Sequence, residues 1–282
     1  MTQTAHKLDR YRLAVQHPDA ECAFLQRVYE HYFPGQWATR LREDFSGTCA
    51  ISAAWVTLDD DHRALAIDHH GPTARWADRF LRRHLGQRAD DVLLYEADVC
   101  DITSPRCDIT AALNFSALAF HDRPGLHHYL KHARKSLARQ GLLVLDVFGG
   151  PGAMRPQTQT RLITPRPHEG IPPFGYQWEQ RKFDPIQNRL DCRIHFPPPG
   201  SGPGRLGRGA FHYDWRLWSL PELTELMREA GFADAQVWCD TFDPAIGQSD
   251  GLYQPAPPMN GREDWVAYVV GVKRPRQSQN GS

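Results

Sequence analysis

The sequence predicts an α/β fold: a largely parallel, helix-wrapped sheet with a small antiparallel β lobe inserted after its fifth strand. Three observations predict it. Short apolar runs, LREDF, ALAID, DVLLYEAD, ITAALNFS and GLLVLDVF, alternate with helix-like segments at about 47–57, 72–85 and 123–139, which is the rhythm of βαβ units. Residues 149–210 break that rhythm, being rich in proline and glycine and holding no amphipathic helix. The chain then closes on one more helical pattern, SLPELTELMREAGF, and two apolar strands, DAQVWCD and DWVAYVVGV. At 282 residues it is long enough for one large α/β domain with an insertion or for two modest domains.

Each element has its own signal. In residues 19–33, Ala23, Phe24, Val28 and Tyr32 fall near helical spacing and Pro34-Gly35 stops the pattern. In RPGLHHYLKHARKSLARQG the leucines follow helical spacing, basic residues come late, and Gly141 is the expected stop before the strand LLVLDVF. Two β-like runs, YQWEQRKF and RLDCRIHF, flank DPIQN as a hairpin, and GAFHYDWRLW supplies a third strand of the lobe. The stretch 197–209, PPPGSGPGRLGRG, reads equally as a lid or as a passive connection. The last helix has Ser219 as its N-cap, Pro221 in its first turn, Leu223, Leu226 and Met227 on one face, and Gly231 as its stop.

Composition narrows the class. Lysine plus arginine and aspartate plus glutamate are equal at 33 each, so no overall field draws the protein to nucleic acid or to an anionic membrane. The six cysteines are scattered with no CxxC spacing and read as reduced thiols. The N-terminus has no apolar run after its charged residues, and no stretch approaches the roughly 18 apolar residues of a membrane span. A cytoplasmic protein is expected.

Chemistry concentrates between Leu41 and Asp98. LREDFSGTCAISAAWV has the form of a strand ending in a tight glycine-containing turn that feeds a helix, which offers backbone N–H groups to a ligand across the strand tips. Asp68 ends the next strand, where a carboxylate can accept hydrogen bonds from both hydroxyls of a ribose. Asp98 ends the third strand, in YEADV, within reach of an exocyclic adenine amine if the sheet has the usual order. Acidic tips on successive strands suit an adenosyl ligand with an amino-acid tail better than one carrying a pyrophosphate.

These motifs resemble the class I S-adenosylmethionine (SAM)-dependent methyltransferases. LREDFSGTC is similar to their glycine-rich first motif, AIDHH to the acidic second-strand tip, EADV to the adenine-binding turn and ALNFS to the fourth-strand motif, and the similarity spans most of residues 9–272. EDFSGT, NFS and YDWRLWSLPEL together resemble a bacterial subgroup of such enzymes. The resemblance implies a Rossmann-like sheet of seven strands, mostly parallel with the last antiparallel, and SAM as cofactor. It divides the chain into a helical cap over the cofactor site (1–40), the SAM-binding core (41–150), an inserted antiparallel β substrate lobe (151–218), a C-terminal helix and strand pair completing the core (219–274), and a disordered tail (275–282). It implies that Glu43 holds the methionine ammonium, Gly47 permits close backbone approach, Asp68 with His69 meets the ribose, and Asp98 with Val99 meets the adenine. Phe45 and Cys49 stand where the first motif carries its outer glycines, a departure from the pattern. Arg42 is a candidate partner for the SAM carboxylate, since a guanidinium fork matches it bidentately. Tyr11 either folds over the cofactor or packs.

Methyl transfer needs alignment, desolvation and removal of a proton where the acceptor has one; it requires no metal. In this architecture Asn114, Phe115 and Ser116 lie near the reacting centre, so Asn114 either orients the nucleophile, contacts the methionine part or caps the strand. His121 is the candidate general base, unless Asp122 caps the next helix and leaves it exposed. Tyr213 is the third catalytic candidate. Phe115, Tyr176, Trp178 and Trp215 are candidates for acceptor walls and Arg181, with Arg193 and Arg216, for an acidic group. The expected partner is a small molecule, with nucleic acid and membrane disfavoured and a homodimer through the aromatic lobe open. Two rival readings stand: an NAD(P)-dependent oxidoreductase, though G-x-G-x-x-G is absent after the first strand, and a non-enzymatic SAM-binding or protein-interaction module.

Overall fold

The computed structural model describes residues 3–199, 209–240, 242–243, 248–249, 251–256 and 262–274. Most of the 197–209 connection and the whole 275–282 tail lie outside the described residues. Two N-terminal helices, α1 (Gln3–Val15) and α2 (Pro18–Tyr32), lead into β1 (Arg40–Asp44), α3 (Ala50–Val56), β2 (Arg63–Ile67), α4 (Gly71–Leu85) and β3 (Val92–Tyr95). Then come β4 (Cys107–Ala112), α5 (Arg123–Ser136) and β5 (Leu137–Gly149). The second sheet is built from β6 (Gln157–Ile163), β7 (Phe174–Asp184), β8 (Arg189–His195) and β9 (Gly209–Arg216). The chain ends with α6 (Leu220–Glu229), β10 (Asp234–Cys239), the short pair β11 (Phe242–Asp243) and β12 (Gln248–Ser249), β13 (Gln254–Pro255) and β14 (Trp265–Val272).

The main sheet has the order β13-β10-β14-β5-β4-β1-β2-β3. Pairing from β3 through β5 is parallel, and β14 runs antiparallel between β5 and β10. The seven expected strands are all present, with the two-residue β13 added at the edge. Residues of β1, β2, β4 and β5 are buried on both faces, which is why the runs of β2, β4 and β5 are largely apolar rather than alternating, while β1 buries charged residues as well. One face packs on α2, α3 and α4 through Leu25, Val28, Trp55, Ile109 and Val144. The other packs on α5 and α6 through Leu126, Leu130, Leu143, Leu145 and Leu226. The order of strand addition reverses between the parallel neighbours β1 and β4, the position at whose carboxyl ends such sheets usually bind ligands.

Local signals explain most boundaries. Ser219 and Glu222 form a reciprocal capping box on α6, and Gly231 takes φ +93° just past its end. Asp122 Oδ1 accepts from Gly125 N at 2.7 Å and caps α5. That helix ends at Ser136, earlier than the sequence pattern suggests, because Leu137 already pairs with Cys107 on β4. Gly141 therefore sits inside β5 and is no helix stop; a Cβ there would lie 2.7 Å from Leu137 Cβ, so only glycine lets the strand fold this closely on itself. The second sheet has four strands where three were expected. β6, QTQTRLI, is an exposed polar edge strand whose outer residues carry no apolar alternation to read. Among the described residues, no helix is long and apolar enough to cross a membrane.

Candidate functional site

The turn after β1 keeps a glycine-rich contour with little glycine. Phe45, Gly47 and Cys49 have φ of +56°, +51° and +56°, so every second residue is left-handed although only one is glycine. Phe45 is held there by Phe120 and Tyr129, whose ring centroids lie 6.0 and 5.4 Å away. A Cβ on Gly47 would meet nothing nearer than Phe45 O at 3.9 Å, so the backbone at this point faces open space. Asp68 reaches across from the tip of β2: Gly47 N donates to Oδ2 at 2.9 Å and His70 N to Oδ1 at 2.8 Å. Asp68 remains half-exposed, His69 and Asp98 are exposed, and Val99 is buried in the core beneath. The Asp68 carboxylate and the Gly47 backbone thus border an open cleft at the strand tips, with Asp98 exposed beyond β3.

Two sequence expectations are corrected here. Arg42 cannot meet a ligand carboxylate, because its guanidinium is wholly buried: Nε donates to Asp44 Oδ1 at 2.6 Å, Nη2 to Val99 O at 2.6 Å, and Nη1 to Ile102 O. Alternation along β1 turns Arg42 and Asp44 toward α5, where Tyr129 also donates to Asp44 at 3.0 Å. Glu43 points the other way, into the first turn of α3. Ser52 N donates to its Oε2 at 2.9 Å, as does Ser52 Oγ, and burial pushes its carboxyl up to about 7. It ties β1 to α3 instead of facing the cleft.

Beyond the tips of β4 and β5 lies a cavity of about 780 Å³ between the main sheet, α1, α2 and the second sheet. Tyr11, Asn114, Phe115, Tyr176, Trp178, Tyr213 and Trp215 all line it. The aromatic density of the second sheet is thus spent on a cavity wall, with Tyr213 and Trp215 stacked at 4.4 Å. Tyr11 belongs to this wall and not to the cleft over the turn after β1: its ring is 5.0 Å from Phe211 and its hydroxyl bonds to that of Tyr213. Gln16, at the α1–α2 junction, bonds to Thr48 in the turn after β1, while Arg12 pairs with Glu169 and Arg161 donates to Ala14 O. Helix α1 is therefore anchored to both the turn and the second sheet.

The cavity holds residues that sequence reasoning missed. Asn114 and Phe115 are successive left-handed residues, φ +59° and +62°, and their N–H groups donate to Asp146 at 3.0 and 2.7 Å. Burial, with Glu21 nearby, raises the Asp146 carboxyl to about 8. Glu21 is likewise raised by burial, and accepts from Tyr268 Oη at 2.9 Å. The signal for Asp146 was an acid inside the otherwise apolar GLLVLDVF; Glu21 left none, since an acid in the first turn of a helix is commonplace.

Three further candidates fall away. His121 is exposed and outside the cavity, with Nε2 donating to Asp214 O at 2.7 Å, and Asp122 is spent on capping α5. Arg181 lies on the outer face of the second sheet, bonded to Asp191 at 3.2 Å and 3.7 Å from Glu179. Arg216 stacks 3.8 Å over Trp218 and leans on Glu222.

No protein-family model matches the chain, and no curated protein sequence does. Solved structures do match. A SAM-dependent methyltransferase from Clostridium acetobutylicum is 14% identical, with a TM-score of 0.62 over 96% of this chain and 98% of that one. A SAM-bound amino pentose methyltransferase from Micromonospora echinaspora is 13% identical, with a TM-score of 0.60 over 97% and 98%. A sugar N-methyltransferase from a Streptoalloteichus species is 19% identical, with a TM-score of 0.59 over 94% and 91%. At these identities the likeness establishes the fold: a Rossmann-like, mostly parallel methyltransferase sheet with a separate small antiparallel sheet.

Proposed function

We propose that the protein is a cytoplasmic SAM-dependent methyltransferase acting on a small-molecule acceptor at an amine nitrogen. The observation that carries the reading is the pair Glu21 and Asp146, two carboxylates set in an aromatic cavity at the ends of β4 and β5. Aromatic faces and a carboxylate together suit an ammonium group, which neither would hold as well alone. The names of the neighbours, an amino pentose methyltransferase and a sugar N-methyltransferase, support an amine on a small molecule. Six free cysteines suit a reducing compartment.

When bound, SAM would supply an activated methyl group on a sulfonium, transferable to an amine with the electron pair of the broken C–S bond left on sulfur. The chain's own residues do the rest. Asp68 and Gly47 offer the ribose and tail a carboxylate and an open backbone, and Asp98 with Val99 borders the adenine position. Asp146 or Glu21 takes the proton that the acceptor nitrogen must lose before or during attack. Asn114 and Phe115, fixed by their bonds to Asp146, set the floor at which donor and acceptor meet. Tyr11, Tyr176, Trp178, Tyr213 and Trp215 exclude water and orient the acceptor. On this reading 1–40 caps the site, 151–218 is the acceptor lobe, and 41–150 with 219–274 forms the core.

Calorimetric titration with SAM, S-adenosylhomocysteine and NAD tests the cofactor, and transfer of labelled methyl to matched amines and alcohols tests the acceptor. Micromolar binding of the adenosyl pair and labelling of amines alone are expected. Binding of NAD in place of SAM would overturn the first claim, and labelling of alcohols in preference to amines the second.

A further inference from the structure

Outside the cavity, helix α5 carries His128 and His132 one turn apart, with ring centroids 4.4 Å from each other. Cys100, half-buried in the turn that follows β3, comes against them. One ligand atom from each residue, two ring nitrogens and the sulfur, lie within 4.8 Å of one another. The histidine geometry has a direction. His132 Nδ1 is 3.1 Å from the carbonyl oxygen of His128, and a carbonyl only accepts, so Nδ1 carries the proton and Nε2 the lone pair. That bond fixes ring and tautomer as the outer partners of metal-bound histidines do.

We propose that Cys100, His128 and His132 form a binding site for a transition-metal ion of the zinc class. Two imidazoles and a thiolate are the donor set that Zn²⁺ and Co²⁺ prefer over Mg²⁺ or Ca²⁺, and three protein ligands leave a fourth tetrahedral position. His128 is exposed, so that position opens to solvent and takes water. The ion binds to the sulfur and the two nitrogens, and the thiol proton passes to solvent. Cys100 N donates to Asp98 Oδ1 at 2.8 Å, so an ion here fastens the turn holding Asp98 to α5. The site is separate from the acceptor cavity, and its existence does not depend on the methyltransferase reading.

The experiment is titration of the untagged, metal-stripped full chain with Co²⁺, followed by visible and near-ultraviolet absorption and then by displacement with Zn²⁺. Circular dichroism verifies that each variant is folded. One equivalent of Co²⁺ is expected to give the strong visible bands of a four-coordinate ion and a thiolate charge-transfer band, all lost on adding Zn²⁺. Cys100→Ser should remove the charge-transfer band. His128→Ala, which alters an exposed side chain, should weaken binding by about tenfold or more. The proposal is overturned if the wild type takes up neither ion in the micromolar range, or if both variants bind with unchanged spectrum and affinity.

Discussion

Tyr268 on β14 donates its hydroxyl to Glu21 on α2 across 2.9 Å, and in the β5–β14 ladder the same tyrosine stands directly opposite Asp146. One phenol thus sits between two carboxyls that burial raises, Asp146 further by the charge of Glu21, and both hold the phenol's own proton more tightly. Among the described residues neither carboxylate has an ion-pair partner, since Arg262 is taken by Asp240 and Arg161 lies over Tyr176. A cation is what this arrangement lacks, and the proposed ammonium acceptor would supply one.

The first prediction is a pH dependence of turnover. With Asp146 raised to about 8, the free enzyme at neutral pH holds this carboxyl mostly protonated, and kcat/KM reports ionisations of the free enzyme. The rate should climb as pH rises from 6 through about 8 and then level, because the ionised carboxylate both binds the ammonium and takes the proton. The step belongs to the Glu21–Asp146 pair rather than to either residue. Asp146→Asn should lower kcat/KM by about 100-fold or more and flatten the profile. A variant that keeps the wild-type profile would remove Asp146 from the chemistry.

The second concerns Asp68, whose oxygens already organise Gly47 N and His70 N. Asp68→Ala should weaken SAM and S-adenosylhomocysteine binding alike by about tenfold or more, roughly 1.4 kcal/mol, since both carry the same ribose. Asp68→Asn keeps one acceptor and should fall between. Equal affinity in wild type and Asp68→Ala, read by calorimetry, would move the ribose elsewhere.

Much of this was legible in the sequence, for physical reasons. The strands and α6 could be read because burial on both faces writes continuous apolar runs and a capping box writes Ser-x-x-Glu. β6 could not, because an edge strand facing solvent needs no apolar residue. In LREDF, three consecutive charged residues lie at the end of β1, and nothing local tells which face each takes. Only the fold decides that Arg42 and Asp44 meet Tyr129 while Glu43 meets Ser52. Glu21 and Asp146 are 125 positions apart and joined through Tyr268, so no sequence window contains their relationship.

Arg42 supplies the third prediction. Its buried guanidinium satisfies Asp44 and two carbonyls, so Arg42→Met leaves a buried carboxylate without its counter-charge, held by Tyr129 alone, and takes a donor from two carbonyls. Removing one partner of a buried pair costs about 3–5 kcal/mol, which should appear as a large fall in the denaturation midpoint. The double change Arg42→Met with Asp44→Leu should recover part of that loss, because no lone charge remains buried. Whatever fraction stays folded should bind SAM with near wild-type affinity; a selective loss of SAM binding in a stable Arg42→Met protein would restore Arg42 to the cofactor site.

Glu43 supplies the last. Its carboxyl ionises near the ordinary 4.5 in the unfolded chain but at about 7 in the folded protein, chiefly through burial. The sign follows. Below 4.5 both states are protonated and no penalty acts; between 4.5 and 7 the unfolded chain has already released its proton while the native state holds on. Stability therefore falls as pH rises through that window and stays lowered above it. The 2.5-unit difference corresponds to a penalty on the order of 3 kcal/mol. Glu43→Gln cannot ionise, yet its amide oxygen can still accept from Ser52 N. Relative to wild type the variant should therefore gain stability progressively from pH 5 to pH 8, as read from urea midpoints at each pH. Parallel curves for the two proteins would mean that Glu43 is ionised normally and that its contact with α3 is looser than the bond to Ser52 implies.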